Sequence, residues 1–230
     1  MSGFIQKLYD TFIDGARWHY LTDGLKTTLI VTIFAAILGV ILGFLIAIVR
    51  STHDKTGKLS ILNIITKIYL TIIRGTPVVV QLLIIYFVIF GSVKIDKTFV
   101  AILAFGLNSG AYVAEIVRSG IMSIDNGQFE AGSSLGLSYS KTMINIIMPQ
   151  AFKNVLPALA NEVIVLLKET SVCGYIALAD LTKGGDIIRA ATYEAFLPLI
   201  AVAVIYLIMV MILTALVGKL ERRLAKNDKR

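Results

Sequence analysis

Five stretches of this chain are apolar over lengths that matter to a lipid bilayer, and polar segments separate them. A spanning helix needs about 20 mostly apolar residues to cross roughly 30 Å of hydrocarbon. The first run covers residues 25–49, with Thr22 and Asp23 placed to cap it. It ends in a polar loop at 50–58, Arg-Ser-Thr-His-Asp-Lys-Thr-Gly-Lys. The second run, 59–90, would be about 48 Å long as one straight helix, too long for a simple crossing. Arg-Gly-Thr-Pro interrupts it at 74–77. Pro77 has no backbone donor and biases Thr76 away from helix, so the pattern predicts a break there. The third run is 99–124. The fourth, 151–167, is short and ends in Lys168-Glu-Thr-Ser171, after which the mixed stretch 172–194 reads as a loop with short helices. The fifth, 195–217, leads into a basic tail. Residues 125–150 have a helix-compatible pattern without the apolar length to span. The pattern predicts an all-α integral membrane protein of about five transmembrane helices, one domain over residues 1–230, with 125–150 as a loop outside the bilayer.

Composition agrees with lipid as the main solvent. Hydrophobic residues make up 57% of the chain and charged ones only 16%, with a mean hydropathy of +0.81, whereas an ordinary soluble domain is about 45–50% apolar and a quarter charged. The net charge of +7 matters through its placement. Twelve Lys and Arg fall in the loops on one side of the expected spans and at the C-terminus, seven on the other side, and three within spans. The richer side is expected to be cytoplasmic, which puts the N-terminus outside and the C-terminus inside, as an odd number of crossings requires. The basic residues flank apolar runs, so no nucleic-acid partner is expected. Cys173 stands alone, His19 and His53 have no ligand-like companions, and no metal is expected. The first fifteen residues lack the features of a cleaved signal peptide, so the first span is expected to direct insertion.

Polar groups inside the spans carry the candidate chemistry. Asn108, Tyr112 and Glu115 fall at i, i+4 and i+7 and share a helix face. An intramembrane carboxylate costs at least about 2.5 kcal/mol on insertion scales and usually faces a cavity or an ion partner. Glu115 therefore fits either a cavity wall or a helix–helix network, and Asn108 and Tyr112 fit a cavity. Asn161 and Lys168, seven apart, share a face, with Glu162 about 100° round from Asn161. One lysine with nearby acceptors suits the common end of an amino acid, which leaves Glu162 for a cationic variable end. The alternative is an internal Glu162–Lys168 or Glu115–Lys168 pair. The break at 74–77 exposes backbone groups tolerated only beside a cavity or within protein, which adds Thr76 and Gln81 as candidate contacts and Arg74 as a structural or gate residue. Gly39-x3-Gly43 and Gly106-x3-Gly110 fit close helix packing.

Outside the bilayer, Glu130-Ala-Gly-Ser-Ser-Leu-Gly136 continuing to Ile146-Ile-Met-Pro149 resembles the signature loop of ABC importer membrane subunits, with Gly132 and Met148 where alanine and leucine are usual. Small residues at 131, 132 and 136 would let a helix approach a partner closely. Glu130 would meet a basic residue or cap a helix start, and Pro149 would stop the helix. More of the chain, about residues 22 to 221, is similar to the polar amino-acid branch of that family: Arg74-Gly-Thr-Pro77 with Gln81, Asn108-Ser-Gly-Ala-Tyr-Val-Ala-Glu115, Arg118-Ser-Gly-Ile121, Leu156-Pro157 and Lys168-Glu-Thr-Ser171.

The resemblance implies a type I ABC importer permease fold in a bacterial inner membrane. The polar groups inside the spans then give Thr76, Gln81, Asn108, Tyr112, Glu115, Asn161, Glu162, Lys168 and Ser171 as the expected substrate contacts. The resemblance implies ATPase coupling through Glu130, Ala131, Gly132, Gly136 and Pro149. The acidic residue at 162 tilts the expected substrate toward arginine, lysine or histidine, with glutamine, cystine or another small solute as alternatives. The implied partners are two ATPase subunits, a second permease copy or a close paralogue, and an extracytoplasmic binding protein. The chain itself has no G-x4-G-K-[ST] loop, nucleophile elbow or GxGxxG, so it is expected to bind no cofactor and catalyse nothing, with ATP and Mg on the partner. An ion-coupled secondary transporter is the rival class, but the two halves show no convincing inverted repeat.

Overall fold

The computed structural model describes residues 2–227, with side chains for residues 3–223; Met1 and the last residues of the basic tail lie outside them. A short helix α1 (Ser2–Leu8) leads through tight turns to α2 (Trp18–Thr56). At 39 residues α2 is about 58 Å long, so it overruns the apolar run 25–49 at both ends. It stops at Gly57, left-handed at φ 68°, whose N–H reaches His53 O at 2.8 Å. The second run does break: α3 (Ser60–Gly75) and α4 (Val78–Leu83), extended by a π-helical turn to Ile89, are bent by 109°. Thr76 is extended (φ −125°, ψ 145°) before Pro77, as the missing donor and the proline ring require. Then follow α5 (Lys97–Met122), α6 (Asn126–Ser134), α7 (Tyr139–Thr142), α8 (Met148–Glu169), α9 (Leu181–Thr192) and α10 (Phe196–Asn227).

Among the described residues, α2, α5 and α10 are long and apolar enough to cross a membrane, and the bent pair makes a fourth span if counted as one. The helix of the expected fourth run, α8, has 22 residues, enough length to cross; Lys153, Asn154, Asn161 and Glu162 make it less apolar than those spans, and it packs on α5 and α10.

The hub is α5, with 67% of its apolar window buried against 28% for α2 and 11% for α10. The difference follows from side-chain size. α2 turns a stripe of small residues inward, Thr28, Thr32, Ala35, Gly39, Gly43 and Ala47, and a row of Ile33, Ile37, Ile41, Leu45 and Ile48 outward. α5 answers with Gly106, Ser109, Gly110 and Ala114. A Cβ on Gly39 would come within 2.8 Å of Ser109, one on Gly106 within 2.6 Å of Leu38, and one on Gly43 would overlap Val113. Both predicted glycine pairs therefore lie at one seam, where backbones approach closely because nothing separates them.

α9 is held at the opposite end of the bundle from the 50–58 loop. A Cβ on Gly24 of α2 would sit 2.6 Å from Asp180 O, and Leu181 N donates to Thr28 Oγ1 at 3.1 Å. Asp180 caps α9 by accepting from Lys183 N at 2.9 Å. The residue is fully buried, and its Oδ2 has no partner among the described residues. Burial pushes its carboxyl up to about 6.

Gly43→Ile should destabilise the protein by about 1–3 kcal/mol, the range for overpacked cores, read as a lower midpoint of thermal unfolding in detergent. Asp180 binds its proton more tightly folded than unfolded, so its contribution is most favourable below about pH 4 and is lost as pH rises toward 6. Asp180→Asn, which keeps a capping oxygen, should therefore raise the unfolding midpoint at pH 7. That gain should shrink toward pH 4; a gain that does not vary with pH would mean the Asp180 charge is not penalised.

Candidate functional site

Gln81 closes the bend between α3 and α4. Its Nε2 donates to Ile73 O (2.7 Å), Thr76 O (3.0 Å) and Thr76 Oγ1 (2.9 Å), and its Oε1 accepts from Asn108 Nδ2 at 3.2 Å. Thr76 Oγ1 in turn donates to Ile72 O at 2.8 Å. The carbonyls that lose helical partners at Pro77 are thus satisfied by one amide, as burial in an apolar setting demands. Gln81 and Asn108 are 7% and 3% exposed, so in this conformation both are committed to the bend and not to an open surface. Asn108 Oδ1 is buried with no partner among the described residues.

Beside the bend, an open groove of about 520 Å³ runs between the end of α3, α5 and α8. Arg74, Tyr112, Glu115 and Glu162 line it, with Ser119, Ser123 and Asn154 as further polar walls. On α8 the lining residues are 154, 155, 158 and 162, one helical stripe. Asn161 and Lys168 are exposed but do not line the groove, and Ser171 lines a separate groove near α9 with Lys183, Asp186 and Arg189. The nine expected substrate residues therefore divide. Tyr112, Glu115 and Glu162 share the groove, Thr76, Gln81 and Asn108 build the bend, and Asn161, Lys168 and Ser171 sit apart.

The two carboxylates of the groove differ. Glu115 meets Arg50 at 3.2 Å, Arg118 at 3.3 Å and Arg74 at 3.4 Å, and Arg118 also reaches Asp54 at 3.3 Å. Neither carboxylate pairs with Lys168, so the alternative of an internal Lys168 pair falls. Glu162 accepts from Ser109 Oγ at 3.1 Å, and no ion pair reaches it among the described residues. The sequence pattern missed this cluster because Arg50 and Arg118 sit where apolar runs end and read as loop charge. Helix spacing does put Arg118 one turn from Glu115, which was the available signal.

The 125–150 segment forms a second site. Asp125, not Glu130, caps α6, accepting from Gly127 N at 2.6 Å. Glu130 and Ala131 lie exposed on the helix, and Leu135 at its end is 77% exposed. Gly132 is buried against Thr142 of α7, so its size serves packing within the chain. Gly136 has φ +73° and open space around it; with Gly136 N to Ser133 O at 2.9 Å and Leu137 N to Gly132 O at 3.0 Å it ends α6 in a Schellman turn. Pro149 stops no helix: it lies in the first turn of α8, where its missing N–H costs nothing, after a π-helical turn at Met143–Ile147. α6 is tied to the overrun of α2 through Lys55 Nζ to Asn126 Oδ1 (2.6 Å) and the same ammonium over the Phe129 ring (4.8 Å), and α7 through Tyr139 OH to Ser51 O (3.4 Å).

The family model described as binding-protein-dependent transport system inner membrane component matches residues 39–226. An arginine transport system permease protein of Bacillus subtilis is 40% identical over 211 residues, covering 91% of this chain and 94% of that one. A glutamine transport system permease protein of Escherichia coli is 37% identical over 207 residues, covering 89% and 92%. Among solved structures, an amino acid ABC transporter crystallised with histidines is similar at a TM-score of 0.82, with 40% identity over 92% of this chain and 98% of that one. An inward-facing methionine ABC transporter, 18% identical over 90% and 97% at a TM-score of 0.75, shares the fold.

Proposed function

The chain belongs to the binding-protein-dependent transport system inner membrane components, and from that premise we propose that it is the membrane-spanning subunit of an ATP-driven importer for polar amino acids, cationic ones in particular. Members of that family are transport subunits and not enzymes. The observation that carries the reading is Glu162, a carboxylate in the groove held by Ser109, with no cation in ion-pairing range among the described residues. An intramembrane carboxylate without a protein counter-charge is costly unless it serves a ligand. The arginine permease among the relatives supports a cationic substrate. The glutamine permeases at similar identity support the second reading, a neutral polar amino acid.

In this proposal ATP and Mg act on two partner ATPase subunits, a second copy of this chain or a close paralogue completes the pathway, and an extracytoplasmic binding protein delivers substrate. The inner membrane of a bacterium is the setting, with the N-terminus outside and the C-terminus in the cytoplasm, supported by the bias of Lys and Arg toward the 50–58, 125–150 and C-terminal segments. The ATPase seats on α6 through Glu130, Ala131 and Leu135, while Gly132, Gly136 and Pro149 shape the helix and its exit. Alternation between outward and inward states opens the bend, which frees Thr76, Gln81 and Asn108 for substrate. Asn161 and Lys168, exposed on α8, and Ser171, in the turn that follows it, join from the side taken to border the second subunit. Substrate must prefer one state for transport to be coupled.

Competitive uptake of labelled arginine into vesicles holding the full complex tests the substrate. Unlabelled lysine and histidine should compete better than glutamine, glutamate or cystine. Glu162→Gln should cut that advantage about tenfold or more, the value of a hydrogen bond to a charged group; if glutamine wins, or the variant is silent, the cationic assignment fails. Leu135→Asp, at a site that packs on nothing in this chain, should leave the unfolding midpoint unchanged and abolish co-purification with the ATPase. Assembly at the wild-type level would show that α6 does not dock through this end.

A further inference from the structure

At one end of the groove three guanidinium groups share the single carboxylate of Glu115, and they are not equivalent. Arg50 and Arg118 are largely buried, with side chains 16% and 22% exposed, and close on Glu115 at 3.2 and 3.3 Å. Arg74 is 43% exposed, stands farthest at 3.4 Å, and alone of the three lines the groove. Its guanidinium lies 5.8 Å over the ring of Tyr112, which holds the fork facing the same space. If Arg74 turns away, Glu115 keeps two charged donors, so the move leaves no carboxylate unpaired. Arg74 is the surplus cation of the cluster. Across the groove, Glu162 on α8 holds only Ser109. The groove therefore offers one disposable cation on α3 and one uncommitted carboxylate on α8, with an aromatic face between, which is the complement of a zwitterion.

Resting on the reading of this groove as the substrate path, we infer that Arg74 is the receptor for the α-carboxylate of the amino acid, exchanging Glu115 for substrate. A guanidinium grips a carboxylate through two parallel N–H donors. The spacing of Asn161 and Lys168 had assigned that end of the substrate to Lys168, which does not line the groove. The carboxylate would then sit at the last turn of α3, immediately before the bend, where its hold on Arg74 bears on the segment that must move.

The test is equilibrium binding to the permease–ATPase complex in lipid nanodiscs, without binding protein, of L-arginine against L-arginine methyl ester and of L-glutamine against its methyl ester. The wild type should prefer the free acids. Arg74→Gln should weaken the acids roughly ten- to a hundredfold and leave the esters as they were, and Arg74→Lys should recover part of the preference. Retention of the acid preference by Arg74→Gln, while Glu162→Gln still weakens binding, overturns the Arg74 assignment and leaves the groove standing. Equal loss of acids and esters, or failure of both Arg74 variants to assemble, makes Arg74 a brace of the bend and also overturns it. If the wild type binds neither ligand, or neither variant changes binding, the groove itself is not the substrate path.

Discussion

Everything in this structure hangs on the closeness of α2 and α5. Lipid tails are as apolar as leucine, so burying apolar surface between helices gains little in a bilayer and packing has to supply the attraction. Glycine supplies it at Gly39, Gly43, Gly106 and Gly110, which leave the two backbones nothing to hold them apart. The result is a rigid pair, and the remaining elements can be described by what they do to it. α8 fits Val155 into the space left by Gly120 on α5, and α9 sits on the notch at Gly24 of α2. α3 brings Leu70 to Ala111 and Ala114 on α5. Small residues on two helices thus determine where three other elements can lie.

The second constraint is that polar groups in an apolar setting must find partners inside the protein. A 109° bend would strand the carbonyls before Pro77, and one amide, that of Gln81, serves three acceptors there. The same rule sorts the carboxylates. Glu115 is oversupplied, with three arginines on one residue, whereas Glu162 is undersupplied, with one hydroxyl. A protein concerned only with stability would balance them. The imbalance across one groove is what the proposed substrate site rests on.

How much of this was legible follows from what a one-dimensional pattern can encode. The break at 74–77 was legible because proline acts on its own neighbours. The close packing of the glycine pairs was legible because spacing fixes a face. Which face meets which neighbour was not. Asn161 and Lys168 do share a face, yet the groove sees the stripe of 154, 158 and 162. Gln81 looked like a contact for substrate because a polar side chain in an apolar run suggests one, but backbone acceptors eight and five residues back had the earlier claim. Pro149 was read as a stop, although proline is equally at home in a first turn, and only the helix on either side of it decides. Arg50 and Arg118 were counted as loop charge because run ends were taken as bilayer ends, while α2 carries on for two further turns.

That overrun of α2 joins the two sites. Arg50 and Asp54 face the groove cluster, Arg50 on Glu115 and Asp54 on Arg118. Lys55, one residue further, holds Asn126 and covers Phe129 of α6. Two turns of one helix therefore touch both the carboxylate at the end of the groove and α6, the helix proposed to seat the ATPase. A displacement of α6 must either carry the end of α2 with it or break a 2.6 Å charge-assisted hydrogen bond and a cation–π contact. The end of α2 cannot shift in turn without altering the geometry of Arg50 around Glu115. Arg74 feels that change first, since it is the least buried and most distant of the three cations. Contact alone is not coupling, which is a free-energy difference between states. A cluster in which one carboxylate meets three cations keeps Arg50 and Arg118 paired with Glu115 even when Arg74, the outermost, lets go, and an element with two arrangements is what coupling requires.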